Sequence, residues 1–530
     1  MVHEACQIDM TTYPGRTGHG SREIHLLNVL LITADQWRGD CLSAMGHPVV
    51  KTPHIDALAS AGTLFRRHYT QAAPCAPARA CLYTGLYQMT NRVCRNGTPL
   101  DRRHDNIALA MRRSGYLPTL FGYTDTGADP RDLAPGDPAL FTYEGILPGM
   151  TVRAELLENL RPWLSWLRGR GTAVSTEAPF DIFLPADGAA DPPGDAPARH
   201  GRDDSMTAYL TDEFVRWLDE PREGPFFAHL SWLRPHPPFI ATAPYHTMFA
   251  SEAGADFVCA LDLDSERAQH PYLDYWLGNQ KKSHYRYGAQ GPATDWSVTD
   301  AHRLRQAYWG LIAEVDDQLG RLVAALKLAG AWDNTLIVFT TDHGEMMGDH
   351  HLFGKGGYFE QSYHIPLIVR DPRRPAGHGG TVDAFTEAID IVPTILEAAG
   401  APLPNQLDGR SLLPFLDGAP PADWRRAAHW EFDFREVASG TAQAGLGLPA
   451  DACNLSVLRQ ERYKYVHFGG LPPLLFDLQE DPRELRNLAD EADYRDIRLA
   501  CAEELLAWRA RHLDRALTHI ELTANGPVQA

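Results

Sequence analysis

Two short apolar runs constrain the fold more than any other feature of this chain. Asn28 to Thr33 reads Asn-Val-Leu-Leu-Ile-Thr, and Thr335 to Thr340 reads Thr-Leu-Ile-Val-Phe-Thr. Runs this apolar and β-branched, without alternation, read as strands buried on both faces. The first ends in Ala34-Asp35-Gln36-Trp37-Arg38 and the second in Thr341-Asp342-His343-Gly344. Buried strands with polar carboxyl ends suit an open parallel α/β sheet, whose ligands bind at those ends. Helical patterns lie between the strands. Leu304, Tyr308, Leu311, Ile312, Val315, Leu319, Leu322 and Val323 recur at helical spacing across 301–329. Residues 101–114 and 205–219 also read as amphipathic helices. The alternation predicts a layered α/β fold with helices flanking the sheet.

The rest of the chain sets the organisation. Residues 124–204 are rich in Pro, Gly and Asp and read as a surface excursion able to form a pocket wall. The segment 251–300 is polar and aromatic and reads as a packed insertion. Residues 436–452 read as a Gly/Ala loop, 454–466 carries strand signals, and 492–520 reads as a helical tail. These features divide the chain into a larger domain over 24–425 and a smaller carboxyl-terminal α+β domain over 426–530.

A formal charge of -19 argues against nucleic acid as the main partner, because phosphate neutralisation needs clustered Lys and Arg. It leaves room for a small anionic ligand in a local positive pocket. No apolar run is long enough to span a membrane. Residues 1–27 hold no signal-peptide core. The expectation is a cytoplasmic protein without a membrane partner. Eight cysteines scattered over so long a chain do not resemble a disulfide framework.

One cysteine stands apart, in Pro74-Cys75-Ala76-Pro77-Ala78-Arg79, followed by Thr84-Gly85-Leu86-Tyr87. A Cys at a helix start is open to a lowered pKa and a thiolate role. Pro77 suits a first helical turn, and Arg79 supplies a fixed charge near Cys75. The bland alternative is a buried thiol beside a structural Arg.

Cys75-x-Pro77-x-Arg79 resembles the formylglycine signature of the sulfatases, within the alkaline phosphatase superfamily. Pro74 and Tyr83 stand where that signature usually has other residue types. Four further stretches match in order: Asp35-Gln36-x-Arg38, Thr52-Pro53-x-Ile55-Asp56-x-Leu58-Ala59, Asp342-His343-Gly344 and Asp390-x-x-Pro393-Thr394. The resemblance implies a central mixed, mainly parallel sheet flanked by helices. It also implies that a formylglycine-generating enzyme oxidises Cys75 to an aldehyde whose hydrate is the nucleophile. One divalent metal would be held by Asp35, Asp342, His343 and modified Cys75. Gln36 is a candidate for the metal or for substrate. An imidazole beside carboxylates favours manganese, with iron or zinc compatible and calcium less so.

Asp-Gln, Asp-His-Gly and the later Lys355 resemble the phosphonate monoester hydrolases, a branch that includes some arylsulfatases. By that resemblance Asn96, Tyr123, His236 (in Arg234-Pro235-His236-Pro237) and Lys355 hold the non-bridging oxygens, and Arg79 orients the hydrate. His236, able to be cationic near neutral pH, or Lys355 protonates the departing alcohol. Typical sulfatases have Gly-Lys where this chain has Gly122-Tyr123, so one positive contact is missing. Asp125 adds a negative charge beside an anionic substrate, which is unfavourable unless it turns away or meets a cationic group. Glu345, Asp349, His350 and His351 are expected to hold a loop. The implied activity is promiscuous hydrolysis of sulfate monoesters, phosphonate monoesters or phosphodiesters, by a homodimer or homotetramer. The rivals are a phosphatase-like enzyme using unmodified Cys75 and a non-catalytic anion-binding relative.

Overall fold

A computed structural model describes residues 27–250, 256–259, 262–514, 518 and 520–529. The reading of the amino-terminal segment therefore lies outside the described residues, apart from Leu27. Both constraining runs are strands: β1 (Asn28–Ala34) and, sixth in chain order, Thr335–Thr340. All but Asn28 are buried. Between them come β2 (Thr63–Tyr69), β3 (Pro118–Gly122), β4 (Thr151–Glu155) and β5 (Phe227–Trp232). After Thr335–Thr340, which is β6, come β7 (His364–Arg370), β8 (Gly380–Val382) and β9 (Thr386–Glu387).

These nine strands form one sheet in the order β4-β3-β5-β1-β6-β7-β2-β8, with β9 also on β2. β1 pairs in parallel with β5 and β6, and β3 with β4 and β5. Only β7 runs against its neighbours β6 and β2. The sheet is mixed and mainly parallel, as expected. Apolar layers cover both faces. One packs the helix Val298–Leu328 through Leu304, Leu311, Val315 and Leu319; the other packs Ala76, Leu82 and Tyr83 of the helix Cys75–Thr84.

A second, antiparallel sheet follows: β10 (Ala428–Asp433), β11 (Asn454–Arg459), β12 (Tyr463–Phe468) and β13 (Leu474–Asp477). The helix Arg495–Arg511 packs on it through Cys501, Leu505 and Trp508.

Four readings need correction. The helix expected over 101–114 spans only Ile107–Arg113, because Asn106 accepts from the Ala108 and Leu109 amides and caps it there. The 436–452 loop contains a short helix, Thr441–Leu446. The helical tail stops at Arg511, and a hairpin of β14 (Ile520–Thr523) and β15 (Gly526–Gln529) follows. The 124–204 excursion carries edge strand β4 and a helix, Arg161–Gly169, that buries Trp163, Leu164 and Leu167. No helix among the described residues is long and apolar enough to cross a membrane.

Candidate active site

The site lies at the carboxyl ends of β1 and β6, where parallel topology leaves a crevice. Asp35 follows β1 directly and Asp342-His343 follows β6, and all three are at most 1% exposed. Cys75 opens its helix from the other side. Asp35, Cys75, Asp342 and His343 each offer one ligand atom, all within 4.8 Å of one another.

Their hydrogen bonds leave a specific gap. Asp342 Oδ1 accepts from the Gln36 and His343 amides (3.2 and 2.9 Å), and its Oδ2 accepts from Arg79 Nε (2.9 Å). Asp35 Oδ2 accepts from Arg79 Nη2 (3.1 Å) and the Tyr123 hydroxyl. Asp35 Oδ1 is buried with no hydrogen-bond partner among the described residues. Such an orphaned carboxylate oxygen is costly unless something else pairs with it. His343 Nδ1 bonds the Gly344 carbonyl (3.1 Å), so the proton sits on Nδ1. Nε2 is then left with its lone pair, 3.9 Å from Asp35 Oδ1 and 3.2 Å from Cys75 Sγ. The donor set therefore fits a divalent cation.

Arg79 fixes this cluster. It is fully buried, one helical turn beyond Cys75, and also bonds Tyr83 (3.1 Å), Ser231 (2.9 Å) and the Tyr123 carbonyl (3.3 Å). Its guanidinium lies 4.2 Å from the Tyr123 ring centre. Arg79 grips the two carboxylates rather than Cys75 itself. Burial raises the Asp35 carboxyl, but Arg79, His343 and Lys355 outweigh it and hold the group at about 2.

The thiolate expectation for Cys75 is overturned. Burial, reinforced by Asp35, pushes the thiol well above its ordinary value despite Lys355. A second correction concerns His236. Burial, with Lys355 adding to it, pushes the imidazole well below its usual range, so this ring is neutral. Its Nδ1 bonds the Pro237 carbonyl (2.8 Å). The cation of the pocket is Lys355. Burial lowers its pKa, but Cys75, Asp35, Asp342 and Glu345 more than reverse the shift.

A cavity of about 480 Å³ opens above the cluster, and Asp35, Cys75, Asn96, Tyr123, His236 and Lys355 line it. Asn96 Oδ1 accepts from the Ala76 amide (3.0 Å), which leaves its amide group for a ligand. Tyr123 commits its hydroxyl proton to Asp35. Gln36 is not in the lining. It is fully buried at φ 67°, bonded to Lys355 Nζ (2.5 Å) and to Glu345. The geometry makes it a strut under Lys355. Glu345 in turn accepts from the Met347 and Gly354 amides (2.9 and 2.6 Å). Asp349 pairs with Arg38 (2.7 Å) and Arg305 (2.8 Å), and His350 with Glu266 (2.8 Å). Glu345, Asp349 and His350 thereby brace the segment that carries Lys355, as expected.

Other motif residues prove architectural. Asp56 caps a turn through Ser43 Oγ (2.7 Å), and Asp390 anchors Arg425. Gly85 ends the nucleophile helix at φ 68°, where a Cβ would meet Leu407 at 2.6 Å. Gly344 lies against the Gln361 carbonyl and has no room for a Cβ.

Sequence reading missed the outer wall: Tyr143, Glu144, Glu158, Phe180, Phe183 and Tyr287. They sit on loops and on the 3-10 helix Pro179–Phe183 in no recurring pattern; the only signals were the reading of 124–204 as a wall and, for Tyr287, of 251–300 as an aromatic insertion.

The chain matches the sulfatase family model over residues 27–401 and an N-sulphoglucosamine sulphohydrolase carboxyl-terminal model over 348–511. It is 42% identical over 506 residues to the multifunctional alkaline phosphatase superfamily protein PehA of Trinickia caryophylli, covering 94% of this chain and 98% of that one. The crystal structure of a phosphonate monoester hydrolase of Agrobacterium radiobacter superposes with a TM-score of 0.93 at 55% identity, over 95% of this chain and 99% of that one. A phosphonate monoester hydrolase from Silicibacter pomeroyi superposes with a TM-score of 0.88 at 40% identity, again over 95% and 99%. With this sheet, this cluster of strand-end ligands and these matches, the chain belongs to the sulfatase family.

Proposed function

We propose that this protein is a metal-dependent hydrolase of sulfate monoesters, phosphonate monoesters or phosphodiesters whose nucleophile is Cys75 after oxidation to formylglycine. Its family hydrolyses sulfuric and phosphonic esters. One observation carries the finer reading: the unpartnered Asp35 Oδ1 faces a vacant His343 lone pair beside Cys75, at the foot of a cavity.

A divalent cation held by Asp35, Asp342, His343 and residue 75 would offset the negative charge of the ester and of the attacking oxygen. The imidazole ligand favours manganese, with zinc or calcium as the alternatives. As a hydrated aldehyde, residue 75 would supply that oxygen and later release the acid product by re-forming the aldehyde. Arg79 locks both carboxylates so that they cannot rotate away from the cluster. Asn96 donates its amide to a non-bridging oxygen. Lys355, held by Gln36, brings the positive charge that this chain lacks at Tyr123. Lys355 is also the proton source present at neutral pH. Neutral His236 becomes an acid only after an anionic ester in the cavity favours its protonation.

The rival with unmodified Cys75 fits less well, because burial keeps the thiol protonated. The non-catalytic rival fits less well because the ligand set is complete. The proposal extends to a cytoplasmic, oligomeric enzyme matured by a formylglycine-generating enzyme. The test is a panel of aryl sulfate, phosphonate monoester and phosphodiester substrates compared by kcat/KM, with metal content measured on the same preparation. Turnover of at least one class, lost on chelation and restored by manganese, is expected. Metal-bound protein inert on every class would refute the proposal.

A further inference from the structure

The cavity has a second chemical character above its foot. Asp125 stands two residues beyond Tyr123, just past the end of β3, and Glu158 lies just past the end of adjacent β4. Both line the cavity, together with Glu144. Glu144 Oε1 accepts from the Glu158 amide (2.6 Å), which ties the two loops into one wall. Three carboxylates therefore face a space whose floor must accept an anion.

Asp125 is the sharper observation. It is 6% exposed, and among the described residues no hydrogen bond or salt bridge reaches its carboxylate. An unpaired acid this buried is costly, and a ligand cation would relieve the cost. Burial, together with the charges of Asp35, Asp342 and Glu144, lifts its pKa to about 7 although Arg79 opposes it. Aromatic faces complete the wall: Tyr143, Phe180 and Tyr287. Acids interleaved with aromatic rings recognise alkylammonium groups.

We propose that this wall is a subsite for a cationic alcohol portion of the ester, an amine or quaternary ammonium group. The full substrate is then dipolar. Its anionic centre lies at Asp35, Cys75 and Lys355, and its cation lies against Asp125, Glu144 and Glu158. This rests on the ester-hydrolase reading and specifies the group that departs.

The experiment has two arms. The first compares kcat/KM for the phenylphosphonate monoester of 2-(trimethylammonio)ethanol with that of its uncharged isostere, 3,3-dimethylbutanol. It is run on the metal-loaded enzyme and on Asp125→Asn and Glu158→Gln. Leaving-group reactivity is common to all three proteins, so the change in the cationic-to-neutral ratio isolates the wall. The ratio is expected to fall about tenfold in each variant. An unchanged ratio would overturn the subsite, while hydrolysis of the neutral ester would leave the hydrolase reading intact. The second arm needs no turnover. Calorimetric titration with the two alcohols should give tighter binding of the cation, weakened in both variants. Equal affinity for both alcohols would overturn the subsite even if the enzyme proved inert.

Discussion

The foot and the wall of one cavity are built on opposite rules. At the foot, Asp35, Cys75, Arg79, Asp342 and His343 are at most 5% exposed, and buried hydrogen bonds fix nearly every polar atom. At the wall, Phe180 is 36% exposed, Glu158 is exposed, and the Asp125 carboxylate has no hydrogen bond among the described residues. The foot hangs on the ends of central strands β1 and β6 and on one helix, whereas the wall hangs on the segments that follow β3 and edge strand β4 and on more distant loops. A rigid foot holds reacting atoms to fractions of an ångström. A loop-built wall can change its ligand without disturbing them. The comparison assigns chemistry to one region and choice of substrate to the other.

Changes at the foot should then be catastrophic, and changes at the wall selective. Cys75→Ala should lower kcat by about 10⁴-fold or more, with an unchanged circular dichroism spectrum. Substantial retained kcat would break the division at its strongest point.

The loop behind the foot makes a stability prediction. Asp349→Asn removes the carboxylate shared by half-buried Arg38 and buried Arg305, while Asp40 still pairs with Arg38, and should cost about 3 kcal/mol in denaturant unfolding. Burial raises the Asp349 carboxyl, but Arg38 and Arg305 outweigh it and hold it at about 2, against an ordinary 3.8. A depressed carboxyl stabilises the fold above its unfolded value and loses that contribution as pH falls through its folded value. Wild type should therefore lose stability between about pH 4 and pH 2 more steeply than the variant. Parallel acid profiles would show that this pair does not hold the loop.

Asp342→Asn should strip the bound metal, read by elemental analysis, and reduce kcat/KM by roughly 10²–10³-fold. Phe180→Ala should be mildest: KM for an aryl ester up by roughly 3- to 10-fold, with kcat near that of wild type. A kcat loss there as large as at Asp342 would erase the distinction between foot and wall.

The same division governs what the sequence revealed. Strand-end residues follow apolar runs that announce themselves, so Asp35, Asp342 and His343 could be placed from neighbours alone. Cys75 and Arg79 are one helical turn apart, a spacing that survives in linear sequence. Gln36 was visible, but its task was not, because holding Lys355 is a contact across 319 positions. The protonation states of Cys75 and His236 were misread because burial, absent from a linear string, sets them. Glu144, Glu158 and Phe180 carry no motif, since a wall needs only charge and ring surface, which any loop can present.

The proposed chemistry turns on an aldehyde at residue 75. Peptide mass spectrometry of the active enzyme, with hydrazine capture of carbonyls, tests it directly. The Cys75 peptide should carry aldehyde oxygen in place of the thiol sulfur, and the captured fraction should rise and fall with specific activity across preparations. A fully active preparation in which residue 75 is thiol alone would contradict it.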